Sequence, residues 1–266
     1  MATSEQVAGS EVRVLARGLA ILKAFEPDNK WRSNTELAIS TGLPKPTVSR
    51  LTANLTEAGY LVYSAERASY GLATSVLTLG FLAASNRDLI VVARPLMQEF
   101  ADQHNVSVVL ASPDGDTMVC HEVVHSRSML FTLRVRAGSR LQMGPSALGR
   151  ALVGSMGDAE RDRFLARLSR AGAPGLAELQ EHVKAAVAQM KRRQYCIAAG
   201  SLEQGTNGVA VVVDTPQQPH SYAIGCAAPT NTLSIARIES SVAPDLLGLK
   251  ARLEAEINAT SAQTES

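Results

Sequence analysis

Hydrophobic side chains recur at helical spacing near the start of the chain. Between residues 12 and 25, aliphatic residues recur at intervals of three or four positions. This is the pattern of a helix with a single apolar face. The positions that define this face are Val12, Leu15, Leu19 and Leu22. Residues 26–29 read Glu-Pro-Asp-Asn, which predicts the end of this helix.

A second, shorter helix is predicted just after this stop. Ser33 followed three positions later by Glu36 is a capping box, in which each side chain can bind the other residue's backbone N–H. The helix is therefore expected to begin at Ser33 and to run to about Ser40. Residues 41–44, Thr-Gly-Leu-Pro, predict a tight break.

A third helix and a hairpin complete this first part of the chain. The helix is expected over residues 45–58, because Pro46 suits a first turn and Gly59 suits the left-handed position after the last turn. Aromatic and aliphatic residues then alternate at 60–63 and 68–72, which predicts a β-hairpin. Three helices followed by a hairpin are typical of a winged helix-turn-helix.

The remainder of the chain predicts an α+β domain with an antiparallel sheet. Residues 75–87 and 89–104 have helical patterns, and β-rich runs begin after Asn105. Strands are expected at 106–112, 117–124, 129–135, 208–214 and 222–227. Further helices are expected at 146–156, 159–168, 176–193 and within 235–259. Strands that follow one another without a regular helical crossover favour antiparallel pairing.

Composition and charge narrow the class of protein. The chain has 266 residues, 45% of them hydrophobic, and 26 basic against 25 acidic side chains, a net charge of +1. Binding to nucleic acid would therefore require a local basic surface. Residues 37–56 offer one, since their only charged side chains are Lys45 and Arg50. Without a signal sequence or a long apolar run, we expect a soluble cytoplasmic protein and no membrane partner.

The candidate DNA contacts are polar side chains at the leading turns of the third helix and around it. A helix fits the major groove and reaches base edges first with its N-terminal residues, and hydroxyl and guanidinium groups can bind bases or phosphates. Arg67 stands at the expected tip of the hairpin, and Arg32 precedes the capping box. The candidates are Arg32, Lys45, Thr47, Ser49, Arg50 and Arg67.

Both halves of the sequence resemble the IclR family of bacterial transcription regulators. The resemblance runs over about residues 12–260, and includes NTELAISTGLPKPTVSRLTANLTEAGYL, VRAGSRLQMGPSALGRALVG and KRRQYCIAAGSLEQGTNGVAVVV. It implies a winged helix-turn-helix, a linker helix and a GAF-like effector domain, without enzymatic activity. It also implies double-stranded operator DNA as a partner and self-association into dimers, often dimers of dimers. Such regulators often repress or activate a catabolic operon.

These expectations give a division of the chain. We predict a flexible tail at 1–11, the winged helix-turn-helix at 12–73, the linker helix at 74–88, the effector domain at 89–260 and a second flexible tail at 261–266.

The segment 144–150 is the best candidate for an effector site. It reads Gly-Pro-Ser-Ala-Leu-Gly-Arg, so that Pro145 and Ser146 can begin a helix whose free backbone N–H groups could hold a carboxylate. Packing at a helix start is an equally good explanation of these residues. In proteins that this chain resembles, the helix start faces the effector. The expected lining residues are Leu133, Leu141, Met143, Ser146, Ala147, Leu148, Cys196, Gly208, Gly225 and Cys226.

The chain departs from the family pattern in a way that bears on the ligand. Relatives that bind very small carboxylates tend to carry Asp, Cys and Ser residues at positions that look like Ala198, Gly208, Gly225 and Ala227 here, and Asn207 replaces the usual Arg. A less polar and roomier pocket is expected. Such a pocket implies a larger effector, such as an aromatic or another bulky organic acid.

Two other functions remain open on the sequence. One is a metal- or redox-sensing repressor that uses Cys120, Cys196 and Cys226, although the strand pattern puts Cys120 and Glu122 on one face and His121 on the other, which is poor spacing for zinc. The other is an enzyme with a vestigial DNA-binding domain, but none of the common catalytic motifs is present. We therefore expect no metal, no cofactor and no catalytic residue.

Overall fold

A computed structural model describes residues 4–25, 29–83, 87–129, 133–214 and 221–264 of the chain. It divides into two compact units, Met1–Ser85 and Asn86–Ser266. Each unit has its own apolar core. Within the described residues, no helix is both long and apolar enough to cross a membrane.

The described residues of the first unit form four helices and a two-stranded sheet. They are α1 (Ser4–Lys23), α2 (Asn34–Thr41), α3 (Lys45–Glu57), β1 (Leu61–Ser64), β2 (Ser69–Leu72) and α4 (Thr74–Ala83). The two strands pair antiparallel, and the core contains Ile21 of α1, Leu37 of α2 and Val48 of α3. The predicted winged helix-turn-helix is thus confirmed.

The boundaries predicted for the two tails and the linker helix remain predictions, and the helices next to them have the following bounds. Helix α1 begins at Ser4, so residues 4–11, which we expected in a flexible tail, are helical. Of the linker helix predicted at 74–88, residues 74–83 form α4 and residues 87–88 belong to α5, while residues 84–86 lie outside the described part. The last helix continues to Thr264, into the expected second tail. Helix termini depend on local capping, which hydrophobic periodicity does not report.

The second unit is built on a six-stranded antiparallel sheet. Its strands are β3 (Ser107–Asp114), β4 (Thr117–His125), β5 (Arg140–Gln142), β6 (Cys196–Ala199), β7 (Thr206–Val213) and β8 (Tyr222–Pro229). Their order across the sheet is β5-β4-β3-β8-β7-β6, which confirms the α+β class. The strand predicted at 129–135 is wrong where the structure describes it, because residues 129 and 133–135 are not in a strand. Residues 130–132 lie outside the described part.

Helices cover both faces of this sheet. They are α5 (Arg87–His104), α6 (Ala147–Ser155), α7 (Asp158–Arg170), α8 (Leu176–Arg193), α9 (Ile235–Arg237) and, after a π-helical turn at Ile238–Val242, α10 (Ala243–Thr264). Along β3 the side chains alternate, so that Val108 belongs to the core on the side of α5 and α10, whereas Val109 belongs to the core on the side of α6, α7 and α8. The sheet is therefore buried on both sides.

Helix α6 lies unusually close to its neighbours. A methyl group added at Gly144 or Gly154 would be 2.7 Å from the backbone of Leu179 or Ala186 in α8. At Gly149 it would be 2.3 Å from the carbonyl oxygen of Met143. These distances are shorter than a methyl group tolerates, so the glycines set how closely α6 packs.

We predict opposite effects of two glycine-to-alanine changes in helices. Gly154→Ala is expected to lower the free energy of unfolding by about 1–3 kcal/mol, because the methyl group would force α6 away from α8. Gly248→Ala in α10 has nothing within 4 Å of the new methyl group. It is expected to be neutral or to raise stability by up to about 1 kcal/mol. Urea unfolding followed by circular dichroism measures both, and equal stabilities would contradict the packing argument.

Candidate functional site

The turn between α2 and α3 is held by backbone geometry and side-chain caps. The N–H of Ser33 donates to Glu36 Oε2 at 2.8 Å and the N–H of Glu36 donates to Ser33 Oγ at 3.3 Å, as the capping box predicts. The bond from the Ser33 N–H also lowers the pKa of the Glu36 carboxyl group. Gly42 ends α2 in the left-handed conformation, with φ of 67°.

Helices α2 and α3 are joined by a buried hydroxyl group. The Thr52 hydroxyl group, which has one proton to donate, lies within hydrogen-bond distance of Asn34 Oδ1 at 3.1 Å and of the carbonyl oxygen of Val48 at 3.0 Å. Val48 and Leu51 bury the inner side of α3. The orientation of α3 relative to α2 is therefore fixed by polar and apolar contacts.

The opposite side of α3 forms an exposed polar surface. Lys45, Ser49 and Arg50 are exposed, whereas Thr47 is half-buried at the edge of this surface. Asn54 is also exposed and lies one turn after Arg50, although we did not select it from the sequence. The spacing of four residues could have identified it. We call Lys45, Ser49, Arg50 and Asn54 the α3 surface.

Arg67 lies at the tip of the β1–β2 hairpin and rests on an aromatic ring. Its guanidinium carbon is 5.2 Å from the centre of the Trp31 ring, a cation–π distance. Trp31 in turn packs on Gly71 of β2, where an added methyl group would be 3.2 Å from the ring. These contacts order the wing and leave Arg67 exposed.

Arg32 is the DNA candidate that the structure places elsewhere. It is only 9% exposed, and its backbone forms a two-bond bridge with Tyr70 of β2. The Arg32 N–H donates to the Tyr70 carbonyl at 2.9 Å, and the Tyr70 N–H donates back at 2.8 Å. We therefore remove Arg32 from the candidate DNA contacts. Its long-range pairing is not visible in the sequence.

In the second unit, eight of the ten predicted effector residues surround one cavity at the start of α6. We call this cavity the α6 pocket. The helix contributes Ser146, Ala147 and Leu148, and the sheet contributes Gly208 from β7 and Gly225 from β8. The remaining predicted residues in the wall are Leu133, Leu141 and Cys226.

Two predicted residues lie outside the pocket wall. Met143 is buried under the first turn of α6, against Gly149. Cys196 is buried beneath α8, where its thiol donates to the carbonyl oxygen of Ala186 at 3.6 Å. Seven further residues, which the sequence did not predict, also line the pocket; they are Val109, Val135, Ala198, Leu202, Thr206, Val209 and Ala227.

The α6 pocket has a mainly apolar lining, and the first turn of α6 forms part of its wall. Ser146 caps α6 by accepting from the N–H of Gly149 at 3.0 Å, whereas the first N–H groups of a helix have no acceptor within it. Such a helix start can hold a carboxylate. Ser201 Oγ donates to the carbonyl oxygen of Pro145 at 2.9 Å and ties the loop that carries Leu202 to this end of α6.

The pocket is narrower than we expected from its glycines and alanines. Its volume is about 40 Å³, well below the roughly 300–1,000 Å³ of typical ligand pockets. The wall includes the large side chains of Leu133, Val135 and Leu202 as well as the small residues of β7 and β8. The expectation of low polarity fits the lining, whereas the expectation of extra room does not.

The cysteines do not form a reactive or metal-binding cluster. All three are buried and unpaired with one another, and burial raises the pKa of each thiol to about 12. A thiol in that state is largely unreactive near neutral pH. In the described part of the chain, no three His, Cys, Asp or Glu side chains are placed to hold a metal ion together.

A β-bulge also corrects the predicted arrangement around Cys120. In the register of β4 with β3, Glu122 is opposite Leu110 and Cys120 is opposite Ala111, so His121 is an extra residue. Cys120 therefore packs with the α6 side of the sheet. Glu122 accepts a 2.9 Å bond from Arg94 of α5 on the other side. The two do not share a face, contrary to our prediction.

Comparison with known proteins agrees with this architecture. Residues 14–65 match the IclR helix-turn-helix domain, and residues 81–248 match the bacterial transcriptional regulator IclR C-terminal domain. The chain is 27% identical to the HTH-type transcriptional regulator TsaQ1/TsaQ2 of Comamonas testosteroni over 93% of this chain and 89% of that protein.

Solved structures show the same fold. An IclR family transcriptional regulator from Brucella abortus is 32% identical, with a TM-score of 0.78 and coverage of 91% of both chains. An IclR homologue from Microbacterium hydrocarbonoxydans, solved with 4-hydroxybenzoate, is 20% identical, with a TM-score of 0.70 and coverage of 92% of this chain and 99% of that one.

This chain belongs to the IclR family of bacterial transcription regulators. It is a DNA-binding regulator, and the family to which it belongs is not enzymatic.

Proposed function

We propose that this regulator binds the operator of a catabolic operon through the α3 surface and the wing, and that an aromatic carboxylic acid in the α6 pocket controls it. The observation that carries the proposal is the combination, in one cavity, of an apolar lining and the start of a helix. The proposal holds whether the protein represses or activates its operon.

The α3 surface has the chemistry to read a major groove. Arg50 can donate two bonds to a guanine edge, and Ser49 and Asn54 can bond bases or phosphates. Lys45 adds a positive charge at the leading turn of α3. Thr47 at the edge suits a phosphate contact. Because no acidic side chain interrupts residues 37–56, the surface stays positive although the whole chain carries a net charge of only +1.

Arg67 supports a contact by the wing. Its exposure and its position over Trp31 would present a guanidinium group to a phosphate or to a narrow minor groove. Such a contact would add to the major-groove contacts of α3 and fix the register of the protein on the duplex.

The α6 pocket supports an effector that is both apolar and anionic. In this proposal the N–H groups of Ala147 and Leu148, in the first turn of α6, would receive a carboxylate, and an aromatic ring would face Gly208 and Gly225. The complex of the Microbacterium homologue with 4-hydroxybenzoate is consistent with a ligand of this class. At about 40 Å³, the pocket would have to widen, and Leu202, which is 39% exposed, is the wall residue best placed to move outwards.

Self-association is supported by apolar side chains that the first unit leaves in contact with solvent. Val14, Leu15 and Leu19 on α1 are 40%, 66% and 51% exposed, and Leu77 and Leu79 on α4 are also exposed. Exposed apolar patches commonly mark contacts with another protein. We infer that a second copy covers them, which would pair two wings on a pseudo-palindromic operator, with a dimer of dimers as the larger assembly.

Effector binding would act by changing how the paired helix-turn-helix units fit the operator. The ligand must bind one arrangement more tightly than the other, and coupling free energies of about 1–3 kcal/mol are typical. The affinity for the operator would then change by roughly 5- to 150-fold, so that binding is weakened or shifts to another operator arrangement.

Arg50→Ala is expected to weaken specific operator binding by about 1–3 kcal/mol, because a bidentate base contact would be lost. Arg50→Lys keeps the charge but not the fork, so it separates base recognition from a phosphate contact. Fluorescence anisotropy on the DNA upstream of the gene, at fixed salt, measures both against a scrambled duplex. If Arg50→Ala binds the operator with unchanged affinity, Arg50 does not contact the DNA. If Arg50→Lys binds with full affinity, Arg50 contributes only its positive charge.

Gly208→Ala is expected to weaken the effect of aromatic acids on operator binding at least several-fold. The new methyl group would enter the pocket at 3.6 Å from the Ala147 side chain without a clash, so the fold is expected to be retained. A panel of benzoates and aliphatic acids in the anisotropy assay identifies the active acid, and the variant is then titrated with it. Gly248→Ala is the matched control. A variant that responds like the unmodified chain would contradict this placement of the effector.

A further inference from the structure

A second cavity lies beside α7, away from the start of α6. It has a volume of about 480 Å³, within the usual range for ligand pockets. Arg163, Arg167 and Arg170 of α7 line it, together with Glu160. Leu152 and Met156, at the end of α6, contribute apolar wall. We call this cavity the arginine cleft.

The three arginines share one face of α7. They are spaced by four and three residues, which brings them one above another along the helix. Among the residues that the structure describes, none of the three is within ion-pair distance of a carboxylate. By contrast, Arg161 on the same helix is paired with Asp158, and Arg193 is paired with Glu239.

Two of these arginines are held by contacts that leave donors available. The guanidinium carbon of Arg167 is 5.2 Å from the centre of the Phe164 ring. Arg170 Nε donates to the carbonyl oxygen of Ala166 at 3.3 Å, so its two terminal nitrogens are not used in that bond. A guanidinium group held in this way is prepared for bidentate bonds to an anion.

The charges in the cleft do not balance. Three guanidinium groups face one carboxylate, Glu160, so the ionisable side chains that line the cleft sum to a charge of +2. The dipole of α7 favours cations in its last turn, which accounts for Arg167 and Arg170. It does not account for Arg163, which lies nearer the middle of the helix, or for the apolar wall beside it.

We propose that the arginine cleft is a second ligand site, which binds an organic anion with two or more negative charges and an apolar body. The guanidinium groups would bind the charged ends, and Leu152 and Met156 would contact the apolar part. The site is independent of the effector proposed for the α6 pocket, because no residue lines both cavities.

Isothermal titration calorimetry of the full chain tests this with three probes. Benzene-1,3-dicarboxylate has two charges and a ring, benzoate has a ring and one charge, and pyrophosphate has charge without an apolar body. The dicarboxylate is expected to bind at least tenfold more tightly than either of the others. Raising the salt concentration is expected to weaken binding of the dicarboxylate, since its contacts with the arginines are ionic.

Variants assign the binding to the cleft. The triple change Arg163→Gln, Arg167→Gln and Arg170→Gln is expected to weaken dicarboxylate binding at least tenfold, and Glu160→Gln is expected to strengthen it several-fold by removing the opposing charge. The control is Arg252→Gln, which changes an exposed arginine of α10 that is paired with Glu99 of α5, and it is expected to bind like the unmodified chain. Circular dichroism verifies that each variant is folded.

Equal binding of the dicarboxylate by the triple variant and the unmodified chain would overturn the proposal. So would a preference for benzoate, or weaker binding in Glu160→Gln. None of these outcomes depends on operator DNA, so failure here leaves the proposed regulatory function intact.

Discussion

The close approach of α6 to its neighbours is the constraint on which both candidate ligand sites depend. Glycines at 144, 149 and 154 let the helix and its leading turn lie against α8 and the backbone of Met143, where any side chain would collide. The start of α6 then faces β7 and β8 at the α6 pocket. Its last turn reaches the arginine cleft. A small displacement of this helix would alter both cavities.

The two units use different forces to hold their functional residues. In the first unit, a capping box and the Thr52 hydroxyl group set α2 and α3, while a small core of five buried side chains supports them. In the second unit, the sheet has an apolar core on each face, which gives α6 a rigid support. Polar groups on such supports keep their positions, which suits recognition of both DNA and a small ligand.

Features that depend on neighbouring residues were predictable from the sequence. The Ser33–Glu36 capping box, the break at Gly42 and the exposed position of Arg50 all follow from local patterns, and the structure has them. Local patterns could not predict which distant segments line a pocket. The resemblance to the family predicted that the segments around residues 146, 208 and 225 share one cavity, and in the structure they do.

Features that depend on distant pairing were not predictable. Arg32 is buried because it pairs with Tyr70, and Glu122 turns away from Cys120 because β4 carries an extra residue against β3. Leu202 and Thr206 reach the α6 pocket from a loop and strand far along the chain. The wall of that pocket combines large side chains with small ones from distant segments of the chain. No periodicity in the sequence reports such contacts.

Hydrogen exchange of the full chain, with and without the acid that alters operator binding, tests the central claim most directly. If the acid binds in the α6 pocket, amides at the start of α6 and in β7 and β8 are expected to exchange more slowly in its presence, while those in α10 remain unchanged. An acid that alters operator binding but protects only α7, or no part of the second unit, would contradict the account.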